Sequence, residues 1–254
     1  MKNVKISIVT VVFNGEATLE RCIDSIVNQN YSNIEYIVID GKSTDRTIEI
    51  VTKKRMHVHA FRSESDKGIY DAMNKGIALA TGDVVGMLNA DDYFADEDCV
   101  RRIAATFENT QADMVYADLD YVDVAGKVLR QWRSGAFQRY MFHWGWMPPH
   151  PTFYARRILF ERWGDYSLFY GTAADFELMV RFLYVHGGVV GYLNKVTVKM
   201  VAGGVSNGDF RSRIAAWKND YRAMKKARLP LPLISALLKP LRKIAQFFPV
   251  LEKR

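Results

Sequence analysis

Cysteine is scarce in this chain of 254 residues. Only Cys22 and Cys99 occur, and they do not have the paired spacing of a zinc site. Both fall in patterns typical of a buried helix face, so we predict reduced thiols in the core and no disulfide framework. This use of cysteine favours a cytosolic protein over a secreted, disulfide-rich one.

Long hydrophobic runs are also missing. No segment has the roughly 20 predominantly apolar residues that a transmembrane helix needs. The apolar run at residues 6–13 is short and is followed by Asn14-Gly15, not by a small-residue cleavage site, so no signal peptide is predicted.

The glycine-rich phosphate loops of common nucleotide-binding proteins are absent. The chain has no GxxxxGK(S/T) motif, and no GxGxxG follows the first predicted strand, where Val12-Phe13-Asn14-Gly15-Glu16 stands instead. An NAD-dependent oxidoreductase is therefore disfavoured. A diphosphate-bearing substrate would have to be held by a metal ion.

The net charge of +7 is unevenly distributed along the chain. From Arg222 onward there are nine Lys/Arg residues and one acid, Glu252, so the rest of the chain is close to neutral. A neutral body argues against a general nucleic-acid-binding surface. A basic end favours a localised partner site.

Strand-like and helix-like patterns alternate through the first half of the chain. Apolar, β-branched runs predict strands at residues 4–13, 34–39, 56–61 and 84–88. Helical spacing predicts helices at residues 16–29, from residue 43 onward, and at 70–80. In the second of these, Ile48 and Val51 are expected to face inward. This alternation predicts an α/β fold with a mostly parallel, doubly wound sheet.

The pattern changes after residue 112. We predict a strand at 114–119, a hairpin of 121–124 with 128–132 around Gly126, a helix at 174–185 and a late strand at 189–200. Residues 137–155 are irregular and rich in aromatics. The simplest division is one domain at residues 1–221, with halves at 1–112 and 113–221, followed by a basic amphipathic tail at 222–254.

Acidic residues follow several of the predicted strands. Asp40 ends the second strand, Asp66 lies in the loop SESDKGIYD, and Asp91 and Asp92 follow the fourth strand in GMLNADDYFADED. Each alone has an ordinary explanation as a turn or helix-cap residue. Together they are expected at one edge of a parallel sheet, where ligands bind. Closely spaced carboxylates suit Mg²⁺ or Mn²⁺, which takes further ligands from phosphates and water.

Four segments of the chain resemble glycosyltransferase family 2, a large family of inverting enzymes of GT-A fold. They are SIVTVVFNGEATLERCIDSIVNQNY, EYIVIDGKSTDRT, SDKGIYDAMNKGIALATGDVVGMLNADD and GTAADFELMVRF. The resemblance covers about residues 4–205 in consistent order. Within the family, the chain is similar to bacterial transferases that build exopolysaccharide, capsule or O-antigen repeat units.

The resemblance implies roles for individual residues. Residues near the nucleotide-sugar donor would be Val11, Phe13, Asn14, Asp40, Asp66, Lys67, Asp71, Asn74 and Asn89. Asn89-Ala90-Asp91 occupies the DxD position of the family, with Asp91 as main ligand of Mn²⁺ or Mg²⁺ and Asp92 beside it. Asp175 matches the general base that deprotonates the acceptor hydroxyl.

Two positions depart from the family pattern. Asn89 replaces the first acid of DxD and removes one charge from the metal site, although its amide can still hydrogen-bond ribose or phosphate. Ala174 replaces the acid that commonly precedes the base, so the neighbour that would raise the pKa of Asp175 is missing.

Weaker candidates lie on the acceptor side. His150, in MPPHPTFY, is either a hydrogen-bonded structural residue or, as the resemblance suggests, a residue that faces the acceptor. Trp144 and Trp146 either stack on sugar rings or pack in the core. The glycines of GGVSN, residues 203–207, suggest a flexible loop over the diphosphate.

The basic tail has amphipathic spacing. Apolar residues recur on one face (Ile234, Leu237, Leu238, Leu241, Ala245 and Phe248), and Pro240 is expected to kink or interrupt this helix. Basic amphipathic segments bind anionic membrane surfaces, so residues 224–254 predict a peripheral association with the inner face of the cytoplasmic membrane. The alternative is packing on the body or on a second subunit.

The sequence therefore predicts an inverting glycosyltransferase that moves a sugar from a nucleotide-diphosphate donor to a lipid-linked or growing glycan. UDP is the default nucleotide by family frequency. The alternatives are a non-catalytic sugar-nucleotide-binding or scaffold protein, which the Asn89 and Ala174 departures allow, and a sugar-nucleotide pyrophosphorylase. The pyrophosphorylase is disfavoured because its Gly-rich, Arg-containing loop is missing. The sugar, acceptor, linkage and oligomeric state are left open.

Overall fold

A single mixed β-sheet organises the computed structural model, which describes residues 3–202 and 210–247. The sheet of the described residues has nine strands. Apolar clusters cover both faces of the sheet. The three inner strands of the first half are almost fully buried, as expected for a parallel sheet between helical layers, whereas its edge strand is partly exposed.

The first half is a parallel α/β unit. In chain order its elements are β1 (Ile6–Val12), α1 (Leu19–Val27), β2 (Ile34–Asp40), α2 (Thr47–Lys53), β3 (Ala60–Ser63), α3 (Ile69–Leu79) and β4 (Val84–Met87). Parallel pairing joins β1 to both β2 and β4, and β2 to β3. The predicted α/β fold is confirmed.

The second half adds antiparallel pairs to the same sheet. Its elements are β5 (Asp92–Phe94), α4 (Cys99–Thr110), β6 (Met114–Val122), β7 (Val128–Trp132), β8 (Tyr154–Arg156), α5 (Arg157–Trp163), α6 (Ala174–Met179) and β9 (Val190–Val201). β6 runs parallel to β9 and antiparallel to β7 and β8, while β5 pairs antiparallel with β9. β8 joins the two halves through β4. The strand order is therefore β3-β2-β1-β4-β8-β6-β9-β5, and β7 pairs with β6 outside this path.

Several local predictions differ from the structure. Residues Arg55–His57 form a 3₁₀ turn, so β3 starts at Ala60, and Ile48 is exposed because it lies on the outer face of α2. β6 continues to Val122, so the first strand of the predicted hairpin, at 121–124, is the last part of β6 and not a separate strand. The predicted helix at 174–185 begins as α6 and continues as a π-helical segment, Val180–His186.

Two helices end the described chain, α7 (Phe210–Lys226) and α8 (Pro232–Ala245). The domain boundary predicted at residue 222 falls inside α7. Met224 on α7 and Ala236 on α8 are buried in the same cluster as core residues of the sheet. The segment predicted as a tail therefore packs on the body through part of its surface.

Pro240 does not interrupt α8, contrary to one of the two predicted outcomes. Because proline has no N–H, the carbonyl four residues earlier, that of Ala236, loses its helical donor. The indole Nε1 of Trp217 on α7 donates to this carbonyl at 3.1 Å. A side chain of α7 thus supplies the hydrogen bond that Pro240 cannot make.

A close backbone contact fixes α8 on the body. Gly145 has φ +72°, and a Cβ there would lie 2.6 Å from the backbone N and Cα of Lys239. Ser235 donates its hydroxyl to the carbonyl of His143 at 2.6 Å, and Lys239 pairs with Asp220 of α7 at the same distance. The glycine therefore permits a helix approach that a side chain would block.

Cys22 and Cys99 are free and buried, as predicted for core thiols. Within residues 3–202 and 210–247, none of the helices combines the length and apolar character needed to cross a bilayer.

Candidate functional site

The strand ends that carry the predicted donor residues meet at one edge of the sheet. Val12 lies beside Asp40 in the β1–β2 register, and Val9 lies beside Met87 in the β1–β4 register. The segments that follow these three strands therefore lie next to one another, as expected for parallel strands.

The loops after β1 and β2 are locked together by hydrogen bonds. The backbone N–H of Asn14 donates to Ser43 Oγ at 2.7 Å, and the N–H of Thr44 donates to Asn14 Oδ1 at 2.9 Å. Asn14 adopts a left-handed conformation with φ +50°. Phe13 is left 65% exposed at this edge, whereas Val11 is buried beneath it.

Asp40 is fully buried, and its carboxylate is hydrogen-bonded to residues of the neighbouring strand-end segments. Its carboxylate accepts hydrogen bonds from the hydroxyls of Ser43 and Ser63, both at 2.5 Å, and from the N–H of Ser43. These partners occupy both carboxylate oxygens. The observed contacts make Asp40 an organiser of the strand-end loop, and its position at the base and ribose pocket stays a prediction.

Asp66 faces the loop that Asp40 organises. A Cβ on Gly41 would lie 2.6 Å from Asp66 Oδ2 and 3.5 Å from Phe13, so the glycine allows these side chains to converge. Asp66 Oδ1 accepts from the N–H of Gly68 at 2.8 Å, and Lys67 is exposed beside it. Phe13, Asp66 and Lys67 together offer an aromatic face, a carboxylate and an ammonium group at one strand edge.

Asp71 and Asn74 are engaged in local contacts. Asp71 accepts from the N–H of Lys67 at 3.0 Å, a bond that lowers the pKa of Asp71, and it lies 3.5 Å from Lys75. Asn74 makes two bonds of 2.9 Å with the backbone N–H and C=O of Tyr166. The amide of Asn74 therefore holds the loop that carries Tyr166, and its place near the donor stays a prediction.

The turn between β4 and β5 carries Asn89, Asp91 and Asp92. Asn89 Nδ2 donates to Asp92 Oδ2 at 3.3 Å, and the N–H of Asp92 donates to the Asn89 carbonyl at 3.0 Å. Asn89 Oδ1 and Asp92 Oδ1 are buried, and no other described residue donates a hydrogen bond to them. Buried polar atoms without partners are costly and need an explanation.

Electrostatics at this turn favour a cation. Burial raises the pKa of Asp91, and burial together with the charge of Asp91 raises the pKa of Asp92 well above its usual value. Arg21 opposes both shifts only weakly, from a position where its guanidinium lies 4.5 Å from the Tyr93 ring centre.

A divalent cation fits the oxygen donors of this turn. Asp91 and Asp92 supply carboxylates, and the orphaned oxygens of Asn89 and Asp92 supply acceptors without competing partners. Across the described ranges there is no cluster of three or more His, Cys, Asp or Glu side chains arranged for a metal. Such a cation would need ligands from substrate phosphates and water as well.

Asp175 stands at the start of α6, among aromatic side chains. Its Oδ1 accepts from the N–H of Phe176 at 2.7 Å. The Tyr70 hydroxyl donates to the Thr172 carbonyl at 3.4 Å, and burial followed by the charge of Asp175 raises the pKa of Tyr70. Burial and the same carboxylate also raise the pKa of Tyr166.

His150 lies against the same group. Its Nε2 is 2.6 Å from the Tyr166 hydroxyl, and the two rings meet edge to face. Burial lowers the pKa of His150, and Asp175 opposes that shift. Only 8% of the His150 surface is exposed, so the hydrogen-bonded structural alternative describes its contacts.

The Tyr121 hydroxyl is influenced by the charges of both Asp92, in the turn after β4, and Asp175, the candidate base. Burial raises the pKa of Tyr121, Arg130 lowers it, and both Asp92 and Asp175 raise it through their negative charges. The two carboxylates therefore act on the same hydroxyl. Neither Tyr121 nor Tyr166 was singled out from the sequence, because a tyrosine on a strand or in a loop gives no motif signal.

The two predicted acceptor tryptophans have different environments. Trp146 is 3% exposed, packs against Phe142 and Tyr116, and donates Nε1 to the Ser134 carbonyl at 3.0 Å. The core-packing alternative thus describes Trp146, which has no free face for a sugar. Trp144 is 54% exposed and lies near Leu241 of α8. The GGVSN segment lies outside the described residues.

Comparisons with known proteins agree with this architecture. The family model described as glycosyl transferase family 2 matches residues 7–170. A curated relative from Mycobacterium bovis, named PGL/p-HBAD biosynthesis glycosyltransferase, is 32% identical over 209 residues, 79% of this chain and 78% of that protein. An uncharacterized glycosyltransferase of Haemophilus influenzae is 34% identical over 122 residues, 45% of this chain and 49% of that protein.

Solved structures have the same GT-A fold. Staphylococcus aureus TarS 1-349 in complex with UDP-GlcNAc superposes with a TM-score of 0.68 and 18% identity, over 87% of this chain and 66% of that one. The mannosyltransferase PcManGT of Pyrobaculum calidifontis, in complex with GDP-Man and Mn²⁺, gives a TM-score of 0.64 and 17% identity, over 94% and 70%. The chain spans 39% of a longer TarS structure. At these identities the likeness establishes the fold alone.

Proposed function

The chain belongs to glycosyltransferase family 2, and on that premise we propose that it transfers a sugar from a nucleotide-diphosphate donor to an acceptor hydroxyl with inversion at the anomeric carbon. The observation that carries the proposal is the turn after β4, where Asp91 and Asp92 lie beside buried oxygens of Asn89 and Asp92 that have no described hydrogen-bond partner. Together with Asp175 as general base, this turn would provide the two groups that the reaction needs.

The donor would bind at the edge formed by the loops after β1 and β2. The exposed ring of Phe13 is suited to stack on a nucleobase, and Asp66 and Lys67 lie next to it. The structures of TarS and PcManGT hold UDP-GlcNAc and GDP-Man, so both uracil and guanine fit this fold. UDP-sugars are the donors to test first.

Asp91 would be the main ligand of Mn²⁺ or Mg²⁺, with Asp92 beside it. When bound, the cation would neutralise the charge that develops on the departing diphosphate. The protein's own contribution is to hold two carboxylates whose pKa values are raised, and which are therefore stabilised by an added positive charge.

Asp175 would remove the proton from the attacking hydroxyl. Its oxygen accepts from the N–H of Phe176, and its charge raises the pKa of the buried Tyr70. Asn74 and His150 would act indirectly, because both hydrogen-bond Tyr166, whose pKa is raised by the Asp175 carboxylate. With Asp175 as base and the acceptor hydroxyl as nucleophile, a single displacement would invert the anomeric carbon.

The acceptor would be a lipid-linked or growing glycan in bacterial surface polysaccharide synthesis, reached at the cytoplasmic face of the membrane. Support comes from α8, whose apolar side chains face outward. They form a stripe with the helical spacing i, i+3, i+7, i+10, at Ile234, Leu237, Leu241 and Ile244. Arg242 and Lys243 adjoin the stripe, so an anionic membrane surface is the complementary partner.

The central test is release of free nucleotide from a panel of UDP-, GDP- and dTDP-sugars with Mn²⁺ and a glycolipid acceptor. Wild type should release nucleotide with one donor, and EDTA should abolish the release. Asp175→Asn should lower turnover by roughly 10²–10⁴-fold, the range for loss of a general base, while the donor dissociation constant stays unchanged.

An exposed acid provides the control for that test. Glu97→Gln removes one negative charge from an exposed position and should turn over like wild type. Wild-type turnover by Asp175→Asn would refute the role of the base. Donor binding by the wild type without turnover on any acceptor would instead favour the non-catalytic sugar-nucleotide-binding alternative.

A further inference from the structure

The side chain of Lys239 points inward from α8 to the helix that carries the candidate base. Its ammonium group pairs with Asp220 Oδ1 of α7 at 2.6 Å and lies 3.7 Å from the centre of the Phe176 ring on α6. Phe176 is fully buried and directly follows Asp175 in the chain. One lysine therefore joins three helices at the residue next to the candidate base.

The backbone of α8 is fixed at the point where this side chain begins. A Cβ on Gly145 would lie 2.6 Å from the backbone N and Cα of Lys239, so the two backbones are in direct contact. Ser235, one turn earlier on α8, donates its hydroxyl to the His143 carbonyl at 2.6 Å. A lysine side chain has many rotamers, but here both its base and its charged end are held.

The ammonium group is held by a charge on one side and attracted by a ring on the other. The side chains of Lys239 and Asp220 are only 14% and 13% exposed, so either charge would be costly to bury without the other. The face of the Phe176 ring attracts the cation through its quadrupole. Phe142 contacts the same ring at a centroid distance of 6.4 Å. The Phe176 ring is thus held from two separate elements.

The backbone of Phe176 carries this constraint to the candidate base. Its N–H donates to Asp175 Oδ1 at 2.7 Å, so a displacement of Phe176 displaces the group that holds the carboxylate. The segment before α6 is held by α7 as well, because Asn219 Nδ2 donates to the Tyr170 carbonyl at 2.9 Å. Placement matters for a general base, since an error of about 1 Å can cost about 10²-fold in rate.

We propose that Lys239 is a positioning residue for Asp175 and acts through the ring of Phe176. The inference rests on the proposed function, in which Asp175 is the general base. In this role Lys239 contacts neither donor nor acceptor. It fixes the first turn of α6 relative to α7 and α8, and it gives the inner face of α8 a task that is separate from its outward apolar stripe.

Turnover and donor binding of two variants test the role. Lys239→Met keeps the length of the side chain and removes its charge, so kcat should fall at least about tenfold. The KM and the dissociation constant of the donor should stay within about twofold of wild type, because a base acts in the transition state. Lys239→Arg keeps the ion pair and the contact with the ring, and should retain turnover. The adjoining cavity of about 180 Å³ leaves room for the larger guanidinium group.

Two double variants separate the ring contact from the ion pair. Phe176→Leu should lower kcat, and Lys239→Met/Phe176→Leu should lower it no further, because both substitutions act through one contact. Lys239→Met/Asp220→Asn removes the carboxylate that Lys239→Met leaves unpaired, and its turnover should stay low. Restored turnover in this variant would show that the lysine only neutralises Asp220, and additive losses in the first would show that it does not act through the ring. Either result would overturn the proposal.

Lys5→Met is the matched control for a loss of stability alone. Lys5 pairs with the buried Glu35 at 2.6 Å, just before β1 and at the strand end opposite the candidate site. Its substitution should lower stability and leave kcat unchanged. A drop in kcat as large as that of Lys239→Met would show that turnover follows stability, and the positioning role would fail.

Hydrogen exchange tests the position of α6 without requiring turnover. Lys239→Met should speed amide exchange in α6 at least about tenfold and leave α3 unchanged, whereas Lys239→Arg should exchange like wild type. Unchanged exchange or unchanged kcat in Lys239→Met would overturn the proposal. If the wild type releases no nucleotide from any donor, the proposed function fails, and the exchange result still decides whether Lys239 holds the first turn of α6.

Discussion

At the scale of single residues, Asn89 is the most informative position of the candidate site. Its amide donates to Asp92 Oδ2, while its own Oδ1 is buried without a described partner. An amide here avoids a third carboxylate next to Asp91 and Asp92, whose pKa values are already raised. Asn89 thus reduces repulsion between the carboxylates of this turn, but it offers the proposed cation one negative charge fewer than an aspartate would.

Asn89→Asp should separate these two effects. The added carboxylate should lower stability in EDTA by about 1 kcal/mol or more, a decrease of about 2–4 °C in Tm for a chain of this size. Mn²⁺ should restore more stability to the variant than to wild type, because the added charge strengthens the metal site. Thermal unfolding with EDTA and with Mn²⁺ measures both effects.

The matched control is Asn109→Asp, which adds the same charge at an exposed position on α4. Its unfolding should respond to Mn²⁺ like that of wild type. An Asn89→Asp variant whose EDTA and Mn²⁺ melting temperatures differ no more than those of wild type would rule out a cation at this turn.

The sequence predicted which strand ends carry polar residues, but not how each polar side chain is used. The strand β2 could be found because its apolar, β-branched residues end abruptly at Asp40. That Ser43 and Ser63 occupy the carboxylate of Asp40 depends on contacts between separate loops. Likewise, Asn74 holds the backbone of Tyr166, 92 residues away, and sequence spacing contains no signal for such a bond.

At the scale of elements, the junction of α7 and α8 explains how a helix contains an internal proline. Periodicity predicted the helix, and the chemistry of proline predicted a break at Pro240. The break is avoided because Trp217 donates to the Ala236 carbonyl that Pro240 leaves without a donor. That donor comes from another helix, so only the tertiary structure could reveal it.

A double-mutant cycle tests this compensation. Trp217→Phe should cost about 1–2 kcal/mol in the wild-type background, because it leaves a buried carbonyl unsatisfied. In the Pro240→Ala background the new N–H can bond the same carbonyl, so the cost of Trp217→Phe should fall by about 1 kcal/mol. Urea unfolding of the four proteins gives the coupling energy.

Tyr31→Phe serves as the comparison, since Tyr31 donates its hydroxyl to the Val4 carbonyl in the first half of the chain. Its cost should be the same in the wild-type and Pro240→Ala backgrounds. A Trp217→Phe cost that is also the same in both backgrounds would show that the indole bond does not replace the missing helical one.

At the scale of the whole molecule, the fold orients its C-terminal helix in a way that sequence spacing could not specify. The amphipathic pattern of α8 was evident, but either face could have been turned inward. Ser235, Ala236 and Lys239 face the protein, whereas the apolar stripe faces outward. An exposed apolar helix face next to basic residues is typical of peripheral membrane binding.

Leu237→Glu/Leu241→Glu should abolish binding to anionic vesicles. These leucines are 54% and 57% exposed, so the substitutions should leave the fold intact while removing apolar contacts with lipid. A loss of at least about tenfold in vesicle partitioning is expected, since burial of one leucine contributes about 1.5–3 kcal/mol. Flotation with phosphatidylglycerol vesicles, at low and high salt, measures the effect.

Ile48→Glu/Met56→Glu introduces the same charges at exposed apolar residues of the first half and should float like wild type. Point variants are preferable to truncation at Arg222, because truncation would remove buried Met224 and Ala236 from the core. Flotation of the leucine variant at the wild-type level would exclude α8 as the membrane contact.

The interlocked loops after β1 and β2 have a further consequence for ligand recognition. Asn14, Ser43 and Thr44 are already hydrogen-bonded to one another, and Asp40 is already saturated by its neighbours. A preorganised rim loses little conformational entropy when a ligand arrives. At the proposed donor site, selectivity would therefore come from the shape of a rigid surface, and adaptation to different sugars would come from residues outside these two loops.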